Sequence, residues 1–231
     1  MDEWWTYRPS DFLMFSPSIY WRLFEALNRF GWPLALLAVT VVSFIWAARR
    51  RAHTKGAEET GSVRLAALLL AGCCLLVAWA YFWQRFTPIY SAAPVFAALF
   101  ALKAAGWVLL AASPGVRWAP RSLRSEIGVW LAGWALIGHP LLALVFGRPL
   151  WQAEWFGLAP DPTVLGGLAL LLMVDTTQLR TSRLIGRALW VVSLSWCAIS
   201  SLSLWTLGER QGLVLLTLGL LALGAGTLRH R

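Results

Sequence analysis

Charged side chains are scarce in this chain of 231 residues: they make up 13% of it, while hydrophobic residues make up 58%. Soluble globular domains carry about 25% charged residues. The composition therefore excludes an ordinary soluble domain. It favours an all-α, polytopic membrane helix bundle, because lipid offers the backbone no hydrogen-bond partner and a helix satisfies its own polar groups.

Cysteines and enzyme motifs are also few. Cys73, Cys74 and Cys197 all fall within apolar stretches, so we expect small core residues rather than disulfides or a thiol relay for a soft metal. The sequence has no nucleotide-binding glycine loop, no HExxH pair and no nucleophile elbow. His139 is the one intramembrane histidine, which excludes a haem with two axial histidines. The sequence thus predicts no catalytic residue and no metal ligand, and it indicates no cofactor.

What the chain does contain is a series of long apolar stretches. A helix needs about 20 mostly apolar residues to cross the hydrocarbon core. We identify seven such stretches, at roughly 30–48, 65–84, 90–112, 127–147, 163–179, 186–206 and 212–228. They predict one transmembrane domain over residues 31–231. Residues 1–30 are expected to form a periplasmic tail before it.

The net charge of +9 does not indicate nucleic-acid binding, because the basic residues are scattered over short loops. With the N-terminus outside, thirteen of them fall in cytoplasmic segments and six in outer ones. The positive-inside rule therefore predicts a periplasmic N-terminus and a cytoplasmic C-terminus, with the lipid bilayer as the expected partner. On this assignment Glu154 and Asp161 belong to outer segments.

The periplasmic tail contains an amphipathic segment. Ser16 and Pro17 are typical of a helix start. Apolar residues then follow on one face, from Ile19 to Phe30, and polar residues on the other: Arg22, Glu25, Asn28 and Arg29. We expect an interfacial helix that contains a Glu25–Arg29 ion pair. Gly31 and Pro33 are expected to end this helix. It is either a lid over the bundle, which we favour, or a docking site.

The chain is rich in tryptophan, with 16 residues, and most lie near predicted membrane boundaries. An amphipathic indole suits that position, so anchoring is the expected role. Trp130 and Trp134, four residues apart in the fourth stretch, are alternatively lining residues of an internal pocket.

The segment "WWTYRPSDFLMFSPSIYWRLFEALN", residues 4–28, together with the following "WPLALL", resembles the start of a bacterial multi-pass membrane family, domain of unknown function 6064. The resemblance is strongest over the first 50 residues. It implies a bacterial inner-membrane protein of about this size, and it implies no activity, ligand or catalytic residue.

Two charges lie inside predicted spans, Lys103 in the third and Asp175 in the fifth. A charge at mid-bilayer costs about 2.5–3.5 kcal/mol on insertion scales, and such residues usually face protein, water or a counter-charge. The two spans run in the same direction and place the charges at similar depths, which favours an ion pair. Snorkelling of each charge towards the headgroups is the alternative. Thr176 extends this polar cluster, and His139, before Pro140, lies at mid-depth with free backbone carbonyls nearby.

These residues suggest a function. We expect a protein that binds or transports a small solute or ion through a buried cluster of Lys103, Asp175, His139 and Thr176. The alternative is a non-catalytic membrane subunit that docks onto other subunits, or onto its own copies, through its Trp-rich surface and Gly-rich last helix. A membrane-embedded enzyme ranks third, because it needs paired carboxylates or a metal cluster and the spans hold one acid well inside.

Overall fold

The computed structural model describes residues 16–55 and 60–228. The predicted tail before residue 16, with Trp4 and Trp5, lies outside the described residues. Within them the chain is all-α apart from one short two-stranded sheet. The α-helices are α1 (Pro17–Lys55), α2 (Thr60–Leu76), α3 (Ala93–Ala112), α4 (Leu123–Gly133), α5 (His139–Val145), α6 (Pro160–Met173), α7 (Arg180–Thr206) and α8 (Gln211–Thr227).

Four helical segments of the described chain are long and apolar enough to cross a membrane: Thr60–Phe86, Ala93–Ala112, Leu123–Val145 and Arg180–Thr206. They correspond to four of the seven predicted spans. Two further apolar helices, α6 and α8, are shorter. The first predicted span, 30–48, falls within α1, where most side chains lie outside the described residues.

The membrane-length helices expose apolar side chains on their outer faces. On α3, Val95, Leu102 and Leu109 are 68%, 65% and 57% exposed. Large apolar residues repeated along a helix surface are unfavourable in water and ordinary in lipid. The helices are therefore compatible with a membrane protein in lipid contact.

The helix α1 runs without interruption through Gly31 and Pro33, so the predicted break is wrong. Gly31 is buried, and a Cβ atom there would lie 2.8 Å from Cδ1 of Leu158. Its lack of a side chain lets α1 approach the segment that precedes α6. The glycine thus serves close packing rather than termination.

The first half of α1 packs on the bundle through Tyr20, Trp21, Phe24 and Leu27, all of which are buried. The buried face is rotated relative to the predicted one, since Ile19 and Phe30 are exposed and Asn28 is buried. Arg22 and Arg29 are exposed, and the predicted Glu25–Arg29 ion pair is formed at 3.0 Å.

The helix α6 occupies the centre of the bundle, where every residue except Gly166 is buried. It packs against α2, α4, α7 and α8. Gly128 of α4 permits one of these contacts, because a Cβ atom there would lie 2.9 Å from the carbonyl oxygen of Ala169. The uniformly apolar sequence of α6 thus reflects enclosure by protein.

The predicted span 163–179 is wrong at its C-terminal end. The helix ends at Met173, and Val174–Asp175 (β2) pairs antiparallel with Arg117–Trp118 (β1). The backbone hydrogen bonds of this stretch go to a neighbouring loop instead of continuing the helix. Asp175 is therefore not part of a membrane-length helix.

Between residues 60 and 228, two helical segments have π geometry, Val77–Phe86 after α2 and Trp134–Gly138 between α4 and α5. The second lies directly before His139 and Pro140. The backbone N–H of His139 donates to the carbonyl of Trp134, five residues earlier. The π turn thus reorganises the backbone at the position where the sequence predicts disturbed hydrogen bonding, and it presents His139 to the interior.

Candidate functional site

The predicted ion pair between Lys103 and Asp175 is not formed, because each charge has other partners. Lys103 is fully buried in α3, and its Nζ donates to the Oγ of Ser193 at 3.1 Å. The ammonium also lies over the ring of Phe100, 5.4 Å from its centroid. A hydroxyl and an aromatic face thus occupy the place that the sequence assigns to a carboxylate.

Asp175 belongs to a turn after β2. Its Oδ1 accepts from the backbone N–H of Thr177 at 2.9 Å and from the hydroxyl of Thr177 at 2.6 Å, and its Oδ2 accepts from Gln178 at 3.1 Å. Arg117 lies 3.6 Å away. Burial raises the pKa of Asp175, but these hydrogen bonds and the charge of Arg117 outweigh it and bring the pKa to about 2. The carboxylate therefore stabilises the turn.

Thr176 contributes to packing at the same turn. Its Oγ1 would lie 3.1 Å from a Cβ atom at Gly186 of α7. The structure places it beside Asp175, as expected from the sequence, but with α7 as its neighbour. Of the four residues predicted to form one cluster, Lys103, Asp175 and His139 therefore lie in three different environments.

His139 joins a different set of residues. Its Nε2 lies 3.3 Å from Oε2 of Glu154, which belongs to the α5–α6 loop (residues 146–159). Asp161, in the first turn of α6, completes the group. One nitrogen or oxygen from each of the three side chains lies within 4.8 Å of the others. We call His139, Glu154 and Asp161 the buried acid cluster, since the residues are 1%, 2% and 0% exposed.

Asp161 is held by donors from α7. Its Oδ1 accepts from the indole N–H of Trp196 at 2.8 Å, and its Oδ2 accepts from the hydroxyl of Ser200 at 2.9 Å. Both donors are neutral. The position in the first turn of α6 adds the favourable end of the helix dipole.

Glu154 is linked to the loop surface through two residues. Its Oε2 accepts from Nε2 of Gln211, the first residue of α8, and Oε1 of the same Gln211 side chain accepts from Arg148. Arg148 is partly exposed and lies 3.3 Å from the centroid of the Trp21 ring. A chain of polar contacts thus leads from a partly exposed arginine to the buried acid cluster.

The cluster holds polar atoms without a hydrogen-bond partner in the described part of the chain. These atoms are Oε1 of Glu154 and Nδ1 of His139. A buried polar atom left unpaired costs about 1–3 kcal/mol. Such atoms in a native structure require an explanation, and a bound ion is one such explanation.

The charges of the cluster do not balance. Two carboxylates share a buried space with one imidazole, and Arg148 reaches Glu154 only through Gln211. Like charges in low dielectric repel strongly, and desolvation penalises each of them. The cluster therefore favours uptake of positive charge, either a proton or a cation.

The helix α1 covers this site. The amide of Asn28 donates to the backbone carbonyls of Trp151 and Ala153, at 2.8 Å each, just before Glu154. Trp21 donates to Glu209 at 3.0 Å. We call the stretch Pro17–Gly31 the α1 lid. Of the two interpretations of the amphipathic segment, a lid over the bundle agrees with these contacts.

One face of α7 connects the cluster to Lys103. Ser193, Trp196, Cys197 and Ser200 follow at helical spacing and are all buried. Ser193 accepts from Lys103, while Trp196 and Ser200 donate to Asp161. The same buried face of α7 therefore holds Lys103 at one point, through Ser193, and Asp161 at another, through Trp196 and Ser200.

His139 is predicted from the sequence as a site residue, whereas its two acidic partners are not. Glu154 and Asp161 appeared as outer-segment acids, and the prediction of no metal ligand followed from that assignment. Their surroundings carried a signal: Glu154 lies in the apolar run "LWQAEWFGLAP", and Asp161 lies between two prolines at a helix start.

Trp130 and Trp134 stack on each other with centroids 5.8 Å apart, but Trp130 is 50% exposed. They form no internal pocket with the cluster. Two other tryptophans contribute to the site instead: Trp21 belongs to the α1 lid, and Trp196 donates a hydrogen bond to Asp161. The indole role therefore differs from membrane anchoring at these two positions.

Comparison with known proteins gives a family and no further relative. The model described as "Family of unknown function (DUF6064)" matches residues 17–230. No curated protein and no solved structure matches the chain.

Proposed function

The chain belongs to the DUF6064 family, whose description states no activity, and we propose from the site itself that it is a membrane protein that binds a small cation and takes part in its transport. The observation that supports this is the buried acid cluster. Two carboxylates and an imidazole lie together without solvent exposure, and within the described part of the chain no lysine or arginine contacts the two acids directly.

The membrane part of the proposal rests on the four membrane-length helices and their exposed apolar faces. The scattered basic residues favour a periplasmic N-terminus and a cytoplasmic C-terminus in a bacterial inner membrane. On this orientation the α5–α6 loop and the α1 lid lie on the periplasmic side. Cations would then enter from outside, beside Arg148.

The transport part rests on ionisable and polar groups at two places in the bundle. Arg148 and Gln211 connect the loop surface to Glu154, while α7 holds Asp161 through Ser200 and Lys103 through Ser193. Ionisable groups inside membrane bundles typically mark ion or proton pathways. The positive charge of Lys103 would lie beyond the cluster and oppose free passage of a cation, as a gate requires.

Reconstitution into vesicles tests this function. The purified protein should carry protons or metal cations down a concentration gradient, followed with dyes enclosed in the vesicles. Glu154→Gln keeps the shape of the side chain and removes its charge, so it should reduce the flux at least tenfold. Glu126→Gln is the matched control, because Glu126 is an exposed carboxylate whose Arg121 contact is 3.9 Å. Equal flux in empty vesicles and in vesicles with the protein would refute the proposal.

A non-catalytic membrane subunit is the second candidate. Several tryptophans are strongly exposed, among them Trp79, Trp151 and Trp205 at 58%, 60% and 62%. Exposed indoles suit partner subunits as well as lipid headgroups. Purification in mild detergent with stoichiometric partners, together with absent flux, would favour this candidate.

A further inference from the structure

The buried acid cluster carries the ligand set of a specific class of cation. We propose that His139, Glu154 and Asp161 bind one divalent transition-metal ion, of the class of Zn²⁺, Co²⁺ and Mn²⁺. The inference rests on the proposed function and deepens it by naming the cation.

The distances place the ligand atoms near the spacing that a metal needs. Nε2 of His139 and Oε2 of Glu154 are 3.3 Å apart and form a hydrogen bond, which an ion bound between them would replace. Zinc binds nitrogen and oxygen at about 2.0–2.2 Å in tetrahedral geometry, which separates neighbouring ligand atoms by about 3.3–3.5 Å. The three ligand atoms lie within 4.8 Å of one another, so the widest separation must close by about 1.3–1.5 Å when the ion binds.

Unpartnered atoms supply the second observation. Oε1 of Glu154 and Nδ1 of His139 are buried and accept or donate no hydrogen bond within the described residues. An ion bound by Nε2 of His139 leaves Nδ1 unpaired, so the observation that supports the site is Oε1 of Glu154. This atom belongs to a proposed ligand, and a metal ion would supply the partner that the surrounding protein does not.

The donor types restrict the class of metal. One imidazole and two carboxylates suit zinc, cobalt, manganese and ferrous iron. A soft ion such as Cu⁺ prefers thiolates, and Ca²⁺ takes six to eight oxygen ligands. The charge also fits, because a divalent cation neutralises two carboxylates when the imidazole is neutral.

The neighbours of the ligands hold them in place. Trp196 and Ser200 fix both oxygens of Asp161, and Gln211 fixes one oxygen of Glu154. Outer partners of this kind orient metal ligands in proteins, and losing one typically costs 10–100-fold in affinity. The arrangement therefore has an outer shell as well as three ligands.

The experiment uses Co²⁺ as a probe, because its visible absorption reports the number and type of ligands. The full-length protein, purified in detergent and stripped of metal, should bind one Co²⁺ per chain, and Zn²⁺ should displace it while Mg²⁺ should not. Glu154→Gln and Asp161→Asn should each weaken binding more than about 100-fold, since they remove a ligand rather than an outer partner. Ser200→Ala should weaken it about tenfold, and Glu126→Gln should leave it unchanged.

The unmodified protein offers a second measurement that requires no variant. Its thermal midpoint should rise with Co²⁺ concentration, because an ion bound only by the folded state stabilises that state. No stoichiometric Co²⁺ absorption and no shift of the midpoint would overturn the inference, and so would binding that survives both carboxylate substitutions. Proton flux without metal binding would refute this site and leave the transport proposal. Metal binding without flux would refute the transport proposal and leave the metal site.

Discussion

Asn28 offers the sharpest test of the α1 lid, because one substitution of equal size reverses its chemistry. Its amide nitrogen donates to the carbonyls of Trp151 and Ala153, at 2.8 Å each, and the residue is 6% exposed. Asn28→Asp replaces this donor with a carboxylate oxygen. Two hydrogen bonds worth about 0.5–1.5 kcal/mol each are lost, and two carbonyls are left facing a negative charge. We expect a cost of about 2–4 kcal/mol.

Hydrogen exchange of the loop measures this cost locally. The backbone N–H groups of Gln152 and Ala153 bond to Pro149 and Leu150, so they exchange only when the loop opens. In Asn28→Asp their exchange should accelerate at least 30-fold, at about 1.4 kcal/mol for each factor of ten.

Arg29→Gln is the control on the same turn of α1. It removes only the exposed ion pair with Glu25, which is worth about 0.3–0.5 kcal/mol. Exchange of the loop should therefore stay within about twofold of the unmodified protein. Equally slow exchange in both variants would refute the lid.

The remaining predictions concern the rest of the bundle. Hydrogen bonds and Arg117 lower the pKa of Asp175 from 3.8 to about 2. The ionised carboxylate therefore stabilises the fold above pH 3.8, and this stabilisation is lost as the pH falls through 2. Asp175→Asn should flatten the acid-unfolding curve between these two pH values. Lys103→Met removes a buried charge whose neighbours are the hydroxyl of Ser193 and the ring of Phe100. It should therefore raise the free energy of unfolding by about 1–2 kcal/mol, and a lower thermal midpoint would contradict this. Gly128→Ala places a Cβ atom 2.9 Å from the carbonyl oxygen of Ala169 and should cost about 1–3 kcal/mol, while Gly133→Ala, with nothing within 4 Å, should not lower the midpoint.

Helix positions could be predicted because an apolar run of membrane length has few alternatives. The stretches 90–112 and 186–206 correspond to α3 and to the second part of α7. The stretch 163–179 misled the prediction for a physical reason. A helix enclosed by protein on all sides is as uniformly apolar as one in lipid, and local hydropathy does not distinguish them. The burial of α6 is a property of its neighbours.

The burial of the α5–α6 loop could not be predicted from the sequence either. Whether Glu154 lies at the surface or inside depends on how the α1 lid and Gln211 close over the loop. These contacts join positions 127 and 57 residues apart, from Glu25 to Gln152 and from Glu154 to Gln211. His139 could be identified because its signal was local, a histidine before proline within an apolar run.

The failed ion pair shows how the same limit shaped the functional prediction. The sequence predicts a carboxylate as the partner of Lys103, whereas the structure places the hydroxyl of Ser193 from α7 there. The acid that lies closest to this helix face is not Asp175, which a turn and Arg117 hold at the end of α6, but Asp161, which α7 holds through Trp196 and Ser200. Ser193 and Ser200 are seven residues apart, about 10 Å along the helix. Lys103 and Asp161 are thus bound to one buried face of α7, so a displacement of that helix would disturb both together.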